Sequence, residues 1–261
     1  MTAIPLTSAA LKGVKREIQR QYPELKSAHL TEAIASSLGF RTHAALLPRL
    51  DRRPADDPDY AYLDDETFLA RAAQLSGEAV SGFELAFADL ETCGGINTFS
   101  NGAGRIDLTK SVRKRAWRNA MVAAINAGLD QRLFSIRPGD CRWDGWSADR
   151  AVTRGAVFSF SVGDIPALGY VSDAGFDELA IHVALWPTVD GERFVQAYNA
   201  GFHAGDVFAT GWLERRKGAW LQVGDDTGSG WTFSGRKNRV PVVADLKVRP
   251  HGYAAAGSFM M

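Results

Sequence analysis

The spacing of apolar residues changes partway along this chain, and that change constrains the fold more than any other feature. Leu11, Val14, Ile18 and Tyr22 recur at helical intervals, as do Leu30, Ile34 and Leu38, and then Phe68, Leu69, Ala72 and Leu75. From Val157 onward the interval shortens, and aromatic and β-branched residues accumulate. Helices followed by strands define an α+β protein with an antiparallel sheet, mainly after residue 156.

Local signals divide the helical part. The first helix is expected from Thr7 to Tyr22, with Pro23 ending it. Gly39 can take the left-handed conformation that closes a second helix, and Thr42 can cap a third. Residues 1–55 are therefore expected to form a small helical head. Arg52–Tyr62, RRPADDPDYAY, has no apolar period, which places a linker at 56–63 and a larger α+β domain at 64–261. In that domain Asp64 or Asp65 can cap a helix. Cys93–Arg105 is glycine-rich and expected as loop, and Ser111 opens a helix expected to end at Gly128.

Among the strands, VFSFSV and IPALGYV flank Gly163-Asp164 and predict a hairpin, with Pro166 suited to an edge. Leu179, Ile181, Val183 and Leu185 alternate with Ala180, His182, Ala184 and Trp186, so both faces are largely apolar and the strand is expected to be central. The turn Asp190-Gly191 leads into RFVQAYN, expected as an antiparallel partner. Residues 205–223 admit either a short helix or a hairpin around Lys217-Gly218. VPVVADLKV is expected as a last strand.

Thirty Lys/Arg and thirty Asp/Glu cancel, so no global field favours nucleic acid or an anionic membrane. The charge is unevenly spread: nine basic against four acidic residues in 1–55, one against ten in 56–92, and eleven against five in 93–155. Such blocks can attract one another within the protein as readily as they can bind partners. The two cysteines, Cys93 and Cys141, lack metal-ligand spacing, which excludes a zinc finger. There is no apolar run of the roughly 18 residues a membrane span needs. The start of the chain lacks a signal segment, and with so few cysteines the expected location is the reducing cytoplasm.

Ser27–Leu50 resembles a helix-turn-helix unit: Ala35 and Gly39 lie four apart, as a small residue and turn glycine do there. Such a unit implies a second helix able to enter a DNA groove, with Arg41, His43 and Arg49 as its outward contacts. Pro48 would kink or stop that helix after about two turns. Glu32, Ala35, Leu38, Gly39, Phe40, Thr42, Ala45 and Leu46 also resemble a short helical segment of glyoxalase-related proteins. That segment is an accessory piece, so the resemblance implies no activity.

Arg113, Lys114, Arg115 and Arg118, beside Trp117, are the other candidate nucleic-acid contacts, with Arg105 and Lys110 as an extension. Gly224–Arg239 contains enough glycine to wrap an anion, with Arg236, Lys237 and Arg239 at its end, but it lacks a Walker ending. Cys141 sits among Asp140, Arg142 and Asp144, where an arginine could stabilise a thiolate and His182 or His203 could serve as base. A metal reading would join Asp173, Glu178, His182 and His203, although the His-Glu-x-x-His motif is absent.

The leading expectation is a non-catalytic macromolecular binding protein of bacterial type, most simply a protein-interaction or adaptor protein, with no cofactor, no metal and no membrane. One alternative is a nucleic-acid-binding accessory or regulator using the helical head and the basic helix 111–128. The other is a cysteine- or metal-dependent enzyme centred on Cys141, His182 and His203.

Overall fold

All but one of the described α-helices in the first part of the chain begin where a side chain can satisfy backbone N–H groups that have no partner within the helix; the exception follows Lys26. Thr7 Oγ1 accepts from Ala10 N and opens α1 (Ser8–Gln21). Helix α2 (Ser27–Ser37) closes at Gly39, whose φ of 87° is left-handed. Thr42 accepts from Ala45 N and opens α3 (His43–Leu46). Asp64 accepts from Thr67 N at 2.7 Å and opens α4 (Asp65–Ser76), which closes at Gly77 with φ 78°.

The computed structural model describes residues 2–78, 80, 90, 93–98, 107–147, 155–187, 205–223 and 232–258. The chain divides into two units, Met1–Phe99 with His251–Tyr253, and Ser100–Pro250 with Ala254–Met261. The first unit carries the helices just described and an antiparallel sheet in the order β2-β1-β3, from β1 (Thr2–Pro5), β2 (Tyr60–Leu63) and β3 (Ile96–Asn97). Strand β2 occupies the second half of the expected 56–63 linker. Ala61 and Leu63 are buried there, a register of alternation too short to stand out from the Asp- and Pro-rich stretch before it. Val14, Ile18, Leu30, Ile34, Leu38, Leu46, Leu63, Phe68 and Ala72 share one core.

The second unit is a mixed seven-stranded sheet. Its path runs β10-β8-β7-β6-β5-β4, with β9 also pairing β7. The strands are β4 (Ala156–Val162), β5 (Ile165–Gly175), β6 (Glu178–Leu185), β7 (Val207–Glu214), β8 (Trp220–Val223), β9 (Phe233–Gly235) and β10 (Ala254–Ser258). The expected β4–β5 hairpin forms around Gly163, β6 is central, and 205–223 is the hairpin rather than the helix. The expected all-antiparallel sheet is corrected at one edge, where β10 joins β8 in parallel. Its sequence, AAAGS, has none of the β-branched or aromatic content that marks a strand. The expected strand RFVQAYN lies outside the described residues.

Helix α5 (Val112–Asp130), capped by Ser111, packs on one face of this sheet. Gly211 in β7 admits it: a Cβ there would sit 3.0 Å from both Met121 Cε and Trp117 Cζ2. Trp117 Nε1 donates to Thr210 O at 2.9 Å. The face so covered carries Leu179, Ile181, Val183 and Leu185 of β6 beside Val207, Ala209 and Leu213 of β7.

Helix α5 does not end at Gly128, as the sequence suggests, but runs on to Asp130. Gly128 is instead a packing site, because a Cβ would lie 2.4 Å from Cε1 of Phe134, itself buried. Gly128→Ala should therefore lower stability by about 1–3 kcal/mol through overpacking, although alanine in a helix interior is normally favoured by about 1 kcal/mol. Chemical denaturation would check this, and a stabilised variant would show that Phe134 yields.

The expected last strand, VPVVADLKV, is also corrected: Val240–Ala244 is a short helix, α6, with Pro241 in its first turn. Asn119 of α5 decides it by donating from Nδ2 to the carbonyls of Val243, Ala244 and Leu246. The carbonyls of Val243 and Ala244 are among the last four of the helix, which have no i+4 partner within it.

Candidate functional site

Directly opposed residues on neighbouring antiparallel strands point to the same face of a sheet. Glu178 of β6 opposes Glu214 of β7, which opposes Trp220 of β8, and Gln222 opposes Trp212 two residues along. The face away from α5 thus gathers two carboxyl groups and an amide at one end. Gln222 Nε2 donates to Glu178 Oε1 at 3.0 Å and to Glu214 Oε2 at 3.2 Å, and Arg216 N donates to Glu214 Oε1 at 2.8 Å. Burial, and then the hydrogen bond with Glu178, push the Glu214 carboxyl up to about 7.

The pair lies beneath an unusual turn. Gly175 and Glu178 pair, leaving Phe176 and Asp177 as a two-residue hairpin loop with φ of 55° and 61°. Such a loop favours Asn-Gly, because both positions need positive φ. The Asp177 carboxylate accepts from Gly139 N at 2.8 Å, which accounts for its conformation. Phe176 is 68% exposed, with the Arg216 guanidinium 5.8 Å from its ring centroid. Arg216 thus touches the tip with its side chain and the acid pair with its backbone.

Arg215, next in sequence, is 1% exposed. Its Nη1 donates to the carbonyls of Ser135 and Asp140 at 3.0 and 2.9 Å, its Nη2 to Cys141 Sγ at 3.3 Å, and its Nε to Asp177 O at 3.4 Å. It therefore ties the loop after α5 to the hairpin tip. Burial raises the Cys141 thiol above its ordinary value and outweighs Arg215, the opposite of what a nucleophile needs. Burial acts in the same sense on Asp140, but the bonds from Arg142 and Ser135 prevail and hold that carboxyl below its ordinary value.

The structure places Cys141 and His182 apart. Cys141 is bonded from the α5 side, whereas His182 faces away from α5, where its Nδ1 lies 2.7 Å from Thr210 Oγ1 and its ring stacks on Phe208. Burial lowers the His182 imidazole to about 4, so it is neutral at physiological pH. His203 lies outside the described residues. Glu178 and His182 do share a face, but four strand residues separate them by about 13 Å. Asp173 opposes Leu179 and so belongs to the other face. Among the described residues no three His, Cys, Asp or Glu side chains gather as metal ligands.

The basic helix is largely engaged within the protein. Arg113 donates to Phe233 O, Arg115 to Thr109 O at 2.9 Å, and Arg118 to Val248 O and Asn119 Oδ1. Lys114 stands half-buried at the start of α5. Arg105 and all of 224–231 lie outside the described residues. In the head, α3 is a single turn followed by a 3-10 turn, Leu47–Arg49, that contains Pro48. This is shorter than the two turns expected. Arg41 and Arg49 are exposed, and half-buried His43 has its backbone N–H bonded to Glu32.

Phe176, Glu214, Arg215 and Gln222 were not singled out by sequence. A signal existed for the first: Gly175-Phe176-Asp177-Glu178 separates two apolar runs by a hairpin's length. The others depend on register. Comparison with family models, curated protein sequences and solved structures found no match to this chain. What fold and site define is an α+β protein whose most distinctive locus is an exposed aromatic hairpin tip over an acid pair, buried Glu214 and half-buried Glu178. Among its described residues, no helix is long and apolar enough to cross a membrane.

Proposed function

We propose that this chain is a non-catalytic protein-interaction or adaptor protein of the cytoplasm, and that it engages a protein partner through the β5–β6 hairpin tip. The observation that supports this reading is Phe176, a large aromatic side chain exposed at a backbone position that disfavours it. A non-glycine residue at positive φ costs about 1–2 kcal/mol, and leaving most of the ring exposed, with Arg216 over it, gives up part of a burial worth roughly 1.5–3 kcal/mol. Neither helps this chain fold. Exposed aromatics that fill a partner's pocket are the usual anchors of protein interfaces, and a tight hairpin presents one rigidly.

Phe176→Asn separates the two roles, since asparagine tolerates the left-handed conformation. Relief of the positive φ, about 1–2 kcal/mol, is offset in part by loss of the Arg216 contact, about 0.5–1 kcal/mol, so the variant should be at least as stable as the parent, while a partner cross-linked to the parent in its native cytosol is lost. An unchanged set of cross-linked partners would remove the hairpin tip from the interface.

A second reading, a nucleic-acid-binding accessory or regulator, is favoured by the exposure of Arg41 and Arg49 at the two ends of the α3 segment. It requires salt-sensitive DNA or RNA binding that disappears in Arg41→Gln/Arg49→Gln, measured by mobility shift.

A further inference from the structure

One edge of the larger sheet lacks the features that keep sheet edges unpaired. Among the described residues β4 (Ala156–Val162) ends the strand path, and its seven residues pair with β5 in unbroken register. No charged residue and no proline occurs from Gly155 to Gly163. Edge strands are ordinarily kept short, bent by a bulge, or marked with lysine or proline, because a row of open N–H and C=O groups accepts another strand. The opposite edge follows that rule: β10 is five residues long, and its register with β8 shifts between Ala254 and Gly257.

Parity along β4 sets which backbone groups are on offer. Val162 and Ile165 close a two-residue hairpin loop, so Val162, Phe160, Phe158 and Ala156 turn their N–H and C=O groups toward β5. Val157, Ser159 and Ser161 turn theirs outward. The Ser159 carbonyl agrees with this, since it accepts from Gln131 Nε2 at 2.8 Å, a donor outside the sheet. Gln131 is exposed, so an incoming strand can take its place. The side chains of Val157, Ser159 and Ser161 are exposed as well, Val157 to 52%. Phe158 opposes Gly169, which opposes Val183, and so lies on the face that carries α5. There Phe158 is buried and Phe160 half-buried, with their rings stacked 5.8 Å apart.

We infer that β4 pairs antiparallel with β4 of a second copy of this chain, about a two-fold axis at Ser159, so that one sheet runs through a dimer. The sequence of the strand singles out this occupant. About that axis Ser159 opposes Ser159 of the copy, Phe158 opposes Phe160, Val157 opposes Ser161 and Ala156 opposes Val162, so the whole strand is used. Aromatic pairs and serine pairs are favourable cross-strand combinations. A two-fold pairing sets any charge at its centre against the same charge, and β4 has none. Centring the axis on Val157 or Ser161 leaves part of the strand unpaired. The outward groups of the two copies exchange about six backbone hydrogen bonds, which is how added strands gain affinity, and Phe160 gains cover from Phe158 of the copy. The β5–β6 tip lies at the far end of β5 from the β4–β5 turn, and the helical head belongs to the other unit. The inference therefore stands or falls separately from the readings proposed for those.

Sedimentation equilibrium of the full chain, from about 1 μM to 1 mM, tests this with two variants that reverse each other's effect. The Ser159 side chain is exposed and its backbone bonds face away from β5, so Ser159→Lys and Ser159→Asp disturb neither the core nor the β4–β5 ladder. The parent is expected to reach twice the monomer mass. Each variant alone sets like charges face to face at the axis, a strongly unfavourable arrangement, and its dimerisation should weaken by about tenfold or more. An equal mixture of the two should return to the dimer mass, because lysine then faces aspartate, and that recovery requires both variants to be folded. The inference is overturned by a parent that stays monomeric or grows beyond a dimer, and by either variant alone dimerising as tightly as the parent. A mixture that remains monomeric while both variants keep the circular dichroism of the parent overturns it as well.

Discussion

Replacing Arg215 with methionine should destabilise the second unit by about 3 kcal/mol or more. Methionine keeps much of the volume but removes every donor. The buried Ser135 carbonyl would then lose Arg215, while that of Asp140 keeps its bond from Ser135 N, and an orphaned buried acceptor costs about 1–3 kcal/mol. The link from the loop after α5 to the hairpin tip is lost at the same time, through Cys141 and Asp177. Arg216→Met, one residue along on an exposed side chain, should change stability by no more than about 0.5 kcal/mol. Urea denaturation of both variants checks the contrast. Thiol labelling adds an independent readout: the buried Cys141 should react slowly in the parent and faster in Arg215→Met. Equal stabilities for the two variants would mean that Arg215 is not a structural tie.

The second large effect is hidden in the parent protein, because two buried groups titrate in opposition. The Glu214 carboxyl is raised from 4.5 to about 7, so the folded state holds its proton more tightly than the unfolded state. Its contribution is fully present below pH 4.5 and is lost as pH rises through about 7. His182 is lowered from 6.5 to about 4, because burial disfavours the imidazolium. Its contribution is present above pH 6.5 and is lost as pH falls through about 4. Between roughly pH 4.5 and 6.5 the folded state carries the Glu214 proton while the unfolded state carries the His182 proton. The two slopes therefore cancel.

Single substitutions should expose them. Glu214→Gln mimics the protonated acid and leaves only the His182 slope, so stability should fall as pH drops from about 6.5 to 4. His182→Gln leaves only the Glu214 slope, so stability should fall as pH rises from about 4.5 to 7. Each pH unit of difference corresponds to about 1.4 kcal/mol, which sets an upper bound on the order of 3 kcal/mol for each window. Urea midpoints at half-unit pH steps distinguish the cases, because the slope is read independently of the absolute stability of each variant. A pH-independent midpoint in both variants would show that neither group is held away from its ordinary value.

Much of the secondary structure was legible because its causes are local. Thr7, Thr42, Asp64 and Ser111 all cap the helices that follow them, since a capping oxygen needs only the backbone two or three residues ahead. The β4–β5 hairpin and the central position of β6 follow from turn chemistry and alternation, which are also short-range. The illegible elements are those that borrow partners from afar. Strand β10 has a sequence of small residues and exists because β8 offers it an edge, while α6 exists because Asn119, over a hundred residues earlier, binds the carbonyls around its end.

The same division applies to function. The sequence by itself determined the α+β class, the capped helix starts at Thr7, Thr42, Asp64 and Ser111, the β4–β5 hairpin and the presence of basic clusters, because periodicity and capping are encoded within a few residues. Only the tertiary structure decided which polar groups meet. Register set Glu178 against Glu214, burial made Arg215 a tie and kept His182 neutral, and Arg113 reached the Phe233 carbonyl. The physical reason is that charge pairing and desolvation depend on separations of a few ångströms between residues that the chain places tens to more than a hundred positions apart.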